Sequence, residues 1–284
     1  MAAAFGALLA LVPGVQRRAR RLVGFALYPP PPPPTPPTEP SYGYLHNWPE
    51  GWWRKRRHTR DAARAAGGRA ARVVFLGDSI TEQWAEAGRA EWEERFAPLR
   101  ALNLGVAGDK TQQVLWRIRD GLLVGLSPRV VVLMIGANNL AFDHDRYGPE
   151  ETARGVAACL AAVQAACPQA RVLLLGVPPS GEPPDAPMRG RVRRLNGLLS
   201  ALETGGSERV RFLDFGDRLL ESGGRGRLSP AVAPDGTHLS PAGYRIVADS
   251  IEPVLREMLG EHQGGPRGDG KELSAYGQGL NATT

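Results

Sequence analysis

Short apolar runs alternate with longer amphipathic stretches along the chain from residue 73 onward. The apolar runs are 73–76, 101–104, 130–135, 172–175 and 210–213. Uninterrupted apolar runs of this length are typical of strands that are buried on both faces of a parallel sheet. These runs therefore predict the strands of a buried sheet.

The amphipathic stretches between the runs predict helices near 82–97, 111–123, 150–166 and 188–203. A last helix is expected over 241–259, because Pro241 fits the first turn of a helix. Strands that alternate with helices imply βαβ units. We therefore predict an α/β fold, a three-layer α/β/α sandwich around a parallel sheet of about five strands.

The two ends of the chain differ from this regular region. Residues 29–34 are all proline and predict a polyproline II segment, either a spacer or an SH3-type ligand. The Gly-rich and polar composition after residue 262 predicts a disordered tail. We expect a disordered segment with its polyproline linker over 1–44, one catalytic domain over 45–262 and the tail over 263–284.

The net charge of +6 is unevenly distributed along the 284 residues. Residues 1–72 hold 12 Lys and Arg against 3 Asp and Glu, and residues 73–284 hold 23 against 26. Trp48, Trp52 and Trp53 lie beside the basic run 54–57, a pattern that nucleic-acid sites also show. A helix that docks its tryptophans on the domain and leaves its charges in solvent explains the pattern more simply, so we expect no nucleic-acid partner.

Several features bear on the compartment. Cys159 and Cys167 lie eight positions apart on one predicted helix, about 12 Å along its axis, too far for a disulfide. Free thiols favour a cytoplasmic location. The apolar run 2–15 is too short to span a bilayer, so no stable membrane insertion is expected. The arginines that follow it leave organelle targeting or secretion as alternatives.

Polar clusters follow the predicted strands, where ligands bind in open α/β sheets. They are 77–81, 105–109, 136–139 and, ahead of the last helix, 234–240. Together they supply a hydroxyl, backbone donors, a side-chain amide and an Asp/His pair, which are the groups that acyl transfer needs. We expect Ser79 as nucleophile, His238 as its base and Asp235 as the group that orients the imidazole.

The oxyanion formed by attack on an ester also needs donors. The backbone N–H groups of Ser79 and Gly108 and the side-chain amide of Asn138 are the candidates. Each cluster taken alone is an ordinary turn or helix cap, and their joint occurrence in this order favours the catalytic interpretation. Neither a dinucleotide-binding nor a P-loop motif is present, and the G-x-S-x-G motif of α/β-hydrolases is absent.

The four clusters resemble the sequence blocks of the GDSL/SGNH hydrolases, whose Ser, Gly, Asn and His are matched by Ser79, Gly108, Asn138 and His238. The run 111–117, Thr-Gln-Gln-Val-Leu-Trp-Arg, is similar to the branch of that family formed by platelet-activating factor acetylhydrolase IB catalytic subunits. This resemblance implies a flavodoxin-like sandwich, a serine mechanism without metal or cofactor, short acyl ester substrates, and a homodimer or heterodimer.

The resulting hypothesis is a serine ester hydrolase that removes acetyl groups, by resemblance from a phospholipid such as platelet-activating factor. An O-acetyl esterase acting on sugars or glycans is the alternative, because one fold serves both substrates. A non-catalytic interaction subunit that works through its proline run is the alternative from another class.

Overall fold

The computed structural model describes residues 36–39, 49–67, 71–181, 183–204, 209–221 and 226–261. The other residues, which include the proline run 29–34 and the predicted tail 263–284, lie outside the described residues. The boundaries of the catalytic domain at 45 and 262 therefore stay predictions.

A parallel sheet of five strands forms the centre of the molecule, in the order β2-β1-β3-β4-β5. The strands are β1 (Val73–Gly77), β2 (Ala101–Asn103), β3 (Val130–Met134), β4 (Arg171–Leu175) and β5 (Val210–Leu213). The central strands β1 and β3 are buried along their whole length, as their apolar sequences predict. This strand order is the flavodoxin-like one, so the predicted fold class is confirmed.

Helices cover both faces of the sheet. They are α1 (Pro49–Gly67), α2 (Ser79–Glu82), α3 (Arg89–Glu91), α4 (Thr111–Arg119), α5 (Ala137–Phe142), α6 (Pro149–Ala166), α7 (Pro187–Thr204) and α8 (Pro241–Leu259). Alternate side chains of each strand face opposite layers. Val74 and Leu76 join one core with α1, α4, α6 and α7, whereas Val73 and Phe75 join the other with α8 and the segment after β1.

The prediction of one continuous helix over 82–97 is wrong. The chain forms α2, a 3-10 turn (Gln83–Ala85), α3, a π turn (Trp92–Phe96) and a second 3-10 turn (Ala97–Leu99). Gly88 precedes α3 and has no room for a side chain, because a Cβ there would lie 2.6 Å from the Trp84 ring. The segment thus follows the packing of its aromatic rings: Trp84 lies 5.3 Å from Phe96 and 4.5 Å from Tyr244 between ring centroids.

Two N-terminal contacts also differ from expectation. Pro37, inside the segment predicted to be disordered, is buried, and its carbonyl accepts a hydrogen bond of 2.8 Å from the Thr111 hydroxyl. The charges of α1 are not simply solvated, because Arg56 pairs with Asp120 and lies 4.5 Å from the centre of the Trp116 ring.

Both cysteines are free and buried. Among the described residues, no helix is long and apolar enough to cross a membrane.

Candidate active site

Ser79 is the first residue of α2, directly after the strand β1. Its neighbour Asp78 is the helix N-cap, and the Asp78 side chain accepts a hydrogen bond of 3.1 Å from the Ile80 N–H. Gly77 is required before this turn, because a Cβ there would lie 2.3 Å from the Met134 carbonyl oxygen. The close strand-to-helix turn therefore places the Ser79 hydroxyl at the carboxyl edge of the sheet.

The three predicted catalytic side chains form a hydrogen-bonded row. The Ser79 hydroxyl lies 3.0 Å from Nε2 of His238, and Nδ1 of His238 lies 2.7 Å from Oδ2 of Asp235. An imidazole that donates from Nδ1 to a carboxylate presents an unprotonated Nε2 to the hydroxyl. In this tautomer His238 is able to accept the proton of Ser79.

The loop that holds Asp235 and His238 is stabilised by its own backbone. Oδ1 of Asp235 accepts hydrogen bonds from the N–H groups of Thr237 at 2.9 Å and His238 at 2.6 Å. Partial burial opposes ionisation of this carboxyl, but the hydrogen bonds from His238 and Thr237 outweigh it and hold the pKa of Asp235 below its usual value. Asp235 is therefore ionised near neutral pH, as the orienting role predicted for it requires.

A neighbouring loop fixes the position of this one. The Ser180 hydroxyl lies 2.9 Å from the Thr237 hydroxyl, and the N–H of Gly181 donates to the carbonyl of Gly236 at 2.9 Å. Gly236 has a φ of +73°, which favours glycine. Residues after β4 thus support, from the side, the loop that holds Asp235 and His238.

The two remaining oxyanion candidates, Gly108 and Asn138, are tied to each other at the ends of β2 and β3. The Asn138 amide donates a hydrogen bond of 2.9 Å to the carbonyl of Asp109, the residue after Gly108. An amide nitrogen carries two hydrogens, so one can hold the side chain while the other serves an oxyanion. The loop of Gly108 is joined to the end of β1, because the Val106 N–H donates to the carbonyl of Gly77 at 3.1 Å.

A buried ion pair that the sequence did not reveal lies beneath the site. Nη2 of Arg117 lies 2.6 Å from Oδ2 of Asp109, and the two side chains are 1% and 0% exposed. The same guanidinium donates to the carbonyls of Leu104 at 2.7 Å and Gly77 at 3.3 Å. Arg117 therefore joins the end of β1, the end of β2 and the loop of Gly108.

A signal for this pair was present in the sequence. Arg117 follows Val114 by three positions and precedes Ile118, so it lies on the apolar face of α4 and not on a solvated face. A charged residue on such a face needs a buried partner. The contacts of Arg117 lie 8 positions earlier at Asp109 and 40 positions earlier at Gly77. No periodic pattern relates these positions, so only the fold reveals the three-way contact.

Asp78 is the second buried acid of the site. Burial raises its pKa to about 7, and the negative charge of Asp109 adds to the effect, whereas the hydrogen bond from Ile80 opposes it. Within the described part of the chain, His, Cys, Asp and Glu side chains form no group of three or more suited to a metal ion.

A flavodoxin-like sheet with a serine–histidine–aspartate row at its carboxyl edge is the architecture of a hydrolase of the serine type. Residues 75–246 match the model of the GDSL-like Lipase/Acylhydrolase family. The chain is also 37% identical over 192 residues to the platelet-activating factor acetylhydrolase IB subunit alpha1 of Bos taurus, a match that covers 68% of this chain and 78% of that protein. The chain therefore belongs to the GDSL-like lipase/acylhydrolase family, and this membership implies an ester hydrolase.

Solved structures share the fold. A GDSL-like lipase from Bacteroides thetaiotaomicron matches with a TM-score of 0.60 at 23% identity, over 72% of this chain and 97% of its own. A catalytic mutant of an acetylxylan esterase from Geobacillus stearothermophilus matches with a TM-score of 0.50 at 18% identity, over 66% of this chain and 93% of its own. The resemblance and the fold predicted from the sequence are both confirmed.

Proposed function

We propose that the protein is a serine esterase that removes short acyl groups, acetyl foremost, with Ser79 as nucleophile, His238 as general base and acid, and Asp235 as the residue that orients the imidazole. The observation that carries the proposal is the unbroken row from the Ser79 hydroxyl through His238 to Asp235. A site of this geometry can generate an alkoxide-like serine without a metal ion.

In the first half of the reaction, the Ser79 oxygen attacks the ester carbonyl while its proton passes to Nε2 of His238. The carbonyl oxygen becomes an oxyanion that the N–H groups of Ser79 and Gly108 and the amide of Asn138 bind. Collapse of this intermediate breaks the bond to the alcohol oxygen, which leaves with the proton from His238. Water then attacks the acyl-serine by the same route, and His238 returns the proton to Ser79 as the acid is released.

The leading substrate class is a phospholipid with an acetyl ester, as in platelet-activating factor. The support is the identity to a protein named as a platelet-activating factor acetylhydrolase subunit. That name also motivates the proposal that this chain assembles as a homodimer or heterodimer, which light scattering of the purified protein tests. An acetylated sugar is the second arm of the substrate test, because an acetylxylan esterase shares the fold.

The experiment compares the wild-type protein with Ser79→Ala. A fluorophosphonate probe should label the wild type at Ser79 and leave the variant unlabelled, and ester turnover should fall at least about 10³-fold in the variant. The unfolding temperatures should agree, because the hydroxyl lies at the edge of the sheet. Activity above a few per cent in Ser79→Ala excludes this nucleophile, and an unlabelled, folded wild type favours the non-catalytic interaction subunit.

The substrate panel then separates the candidates. The comparison is kcat/KM for acetyl, butyryl and octanoyl esters of one alcohol, beside an acetylated phospholipid and an acetylated xylo-oligosaccharide. We expect the acetyl ester to be preferred, because a closed pocket rejects each added methylene by about 1–3 kcal/mol. An octanoyl ester that equals the acetyl ester contradicts the short-acyl proposal.

A further inference from the structure

Helix α1 contacts the loop that carries Gly108 through one carboxylate. We call residues 105–108 the oxyanion loop. Glu82, the last residue of α2, accepts a hydrogen bond of 2.8 Å at Oε2 from the N–H of Ala107. Nζ of Lys55 on α1 lies 2.8 Å from each of the two carboxylate oxygens of Glu82. Lys55 therefore holds the carboxylate that in turn holds the residue before Gly108.

The oxyanion loop also packs directly on the helix that begins at Ser79. A Cβ on Gly105 would lie 2.3 Å from the Glu82 backbone nitrogen, so only glycine allows this approach. The Asn103 amide donates to the carbonyls of Thr81 at 2.9 Å and Glu82 at 3.2 Å, and its oxygen accepts from the Gly105 N–H at 2.9 Å. The start of the loop is thus fixed by backbone contact, and its later part is held by the Glu82 side chain.

The exposure of the ion pair argues that its effect is on geometry more than on folding. The side chains of Lys55 and Glu82 are 30% and 22% exposed, and pairs that water reaches contribute little to stability. A hydrogen bond from an N–H to a carboxylate is stronger than one to a neutral acceptor. A Glu82 side chain fixed from one side by Lys55 loses the rotamer freedom that would otherwise compete with that bond.

We propose that Lys55 and Glu82 are positioning residues for the oxyanion loop, and that α1 is for this reason a working part of the hydrolase. Lys55 lies ahead of residues 75–246, which the family model matches, so the matched region by itself lacks half of the pair. The inference rests on the proposed esterase function, in which the N–H of Gly108 binds the oxyanion.

The test measures kcat and KM for an acetyl ester in Glu82→Ala, Lys55→Met and the double variant. Glu82→Ala removes the acceptor of the Ala107 N–H, and we expect kcat to fall about tenfold, less than the 10²–10³ for loss of a whole oxyanion donor. Lys55→Met should lower kcat about threefold, because the acceptor remains but is no longer held. KM should stay within about twofold, since the oxyanion forms only after binding.

Two further results distinguish positioning from general damage. Lys55→Arg should restore most of kcat, because it renews the ion pair. The double variant should be no slower than Glu82→Ala, since Lys55 acts only through Glu82.

The matched control is Arg256→Met on α8. Arg256 pairs with Glu252 at 2.9 Å, and these side chains are 32% and 21% exposed, almost as in the Lys55–Glu82 pair. Its kcat should equal that of the wild type. The inference is overturned if Glu82→Ala has the same kcat as Arg256→Met, or if Glu82→Ala changes KM alone. Ser79→Ala, measured beside them, tests the proposed function separately: an inactive Ser79→Ala with a fully active Glu82→Ala rejects this inference only.

Discussion

The two sides of the candidate site are held in place by different means. The side that carries Ser79 and the proposed oxyanion donors rests on Arg117 and Asp109, which are 1% and 0% exposed. The other side is a short loop in which the side chains of Asp235 and His238 are 57% and 38% exposed. On the buried side, geometry and stability depend on the same contacts, whereas on the exposed side the local hydrogen bonds of the loop set the geometry.

Replacement of Arg117 should give the largest effect on stability. Arg117→Met leaves Asp109 buried without its counter-charge, and loss of one partner of a buried pair costs about 3–5 kcal/mol. We expect the free energy of unfolding, measured by urea titration, to fall by that amount. Activity should fall as well, because the Gly77, Leu104 and Asp109 contacts are lost together.

The double variant Arg117→Met/Asp109→Asn sharpens this prediction. It removes both charges, so it should be more stable than Arg117→Met alone. If the double variant loses as much unfolding free energy as Arg117→Met and Asp109→Asn together, the two charges are not coupled. The buried side then does not depend on this ion pair, and the contrast between the two sides is wrong.

Asn138→Ala should give the next largest effect, a lower kcat without a loss of stability. We expect kcat to fall about 10²–10³-fold, the usual loss for one oxyanion donor, with a smaller change in KM. The neighbouring Asn139 is the control. It is fully buried, accepts from the Thr111 N–H at 3.0 Å and donates to the Gln112 side chain at 2.9 Å, so Asn139→Ala should lower stability by about 1–3 kcal/mol. A loss confined to KM in Asn138→Ala would mean that this side chain shapes the pocket only.

The sequence predicts the parts of this molecule that depend on local pattern. The predicted strands agree with the observed ones to within one residue at each end, because a strand buried on both faces must be apolar along its length. The sequence predicts for a related reason that the four polar clusters lie together. Parallel strands end at one edge of the sheet, so polar residues after each of them come together. The structure brings Ser79, His238 and Asp235 together in a hydrogen-bonded row at that edge.

The supporting contacts could not be predicted in this way, because they join residues with no periodic relation. Lys55 and Glu82 are 27 positions apart, and in sequence both look like surface charges. The segment after α2 shows the same limit. Its amphipathic pattern predicts one helix, but the packing of Trp84, Trp92 and Phe96 around Phe75 breaks it into short turns. Packing between rings of distant elements overrides local propensity there.

Two aspartates show the difference between the sides in their ionisation. Asp78 is 2% exposed, and burial raises its pKa from 3.8 to about 7. The pKa of Asp235 is lowered, because hydrogen bonds from His238 and Thr237 outweigh the effect of its partial burial. Folding therefore favours the protonated form of Asp78 and the ionised form of Asp235, and the pH dependence of stability should have opposite signs for the two.

The smallest expected effect follows from these opposite shifts. Folded Asp78 keeps a proton that the unfolded chain releases near pH 3.8, so this residue lowers stability as the pH rises from about 4 to about 7. Asp78→Asn cannot ionise, so its stability relative to the wild type should increase as the pH rises across that window. An amide does not reproduce every contact of the carboxyl, so we expect a net gain on the order of 2 kcal/mol at pH 8.

Asp235→Asn should do the opposite: it should be less stable than the wild type at neutral pH, with the difference closing in acid as Asp235 of the wild type is protonated. Urea titrations of the three proteins at pH 4, 6 and 8 measure both trends. Parallel pH profiles for the two variants would show that the buried and exposed sides of the site do not differ in the way that their contacts indicate.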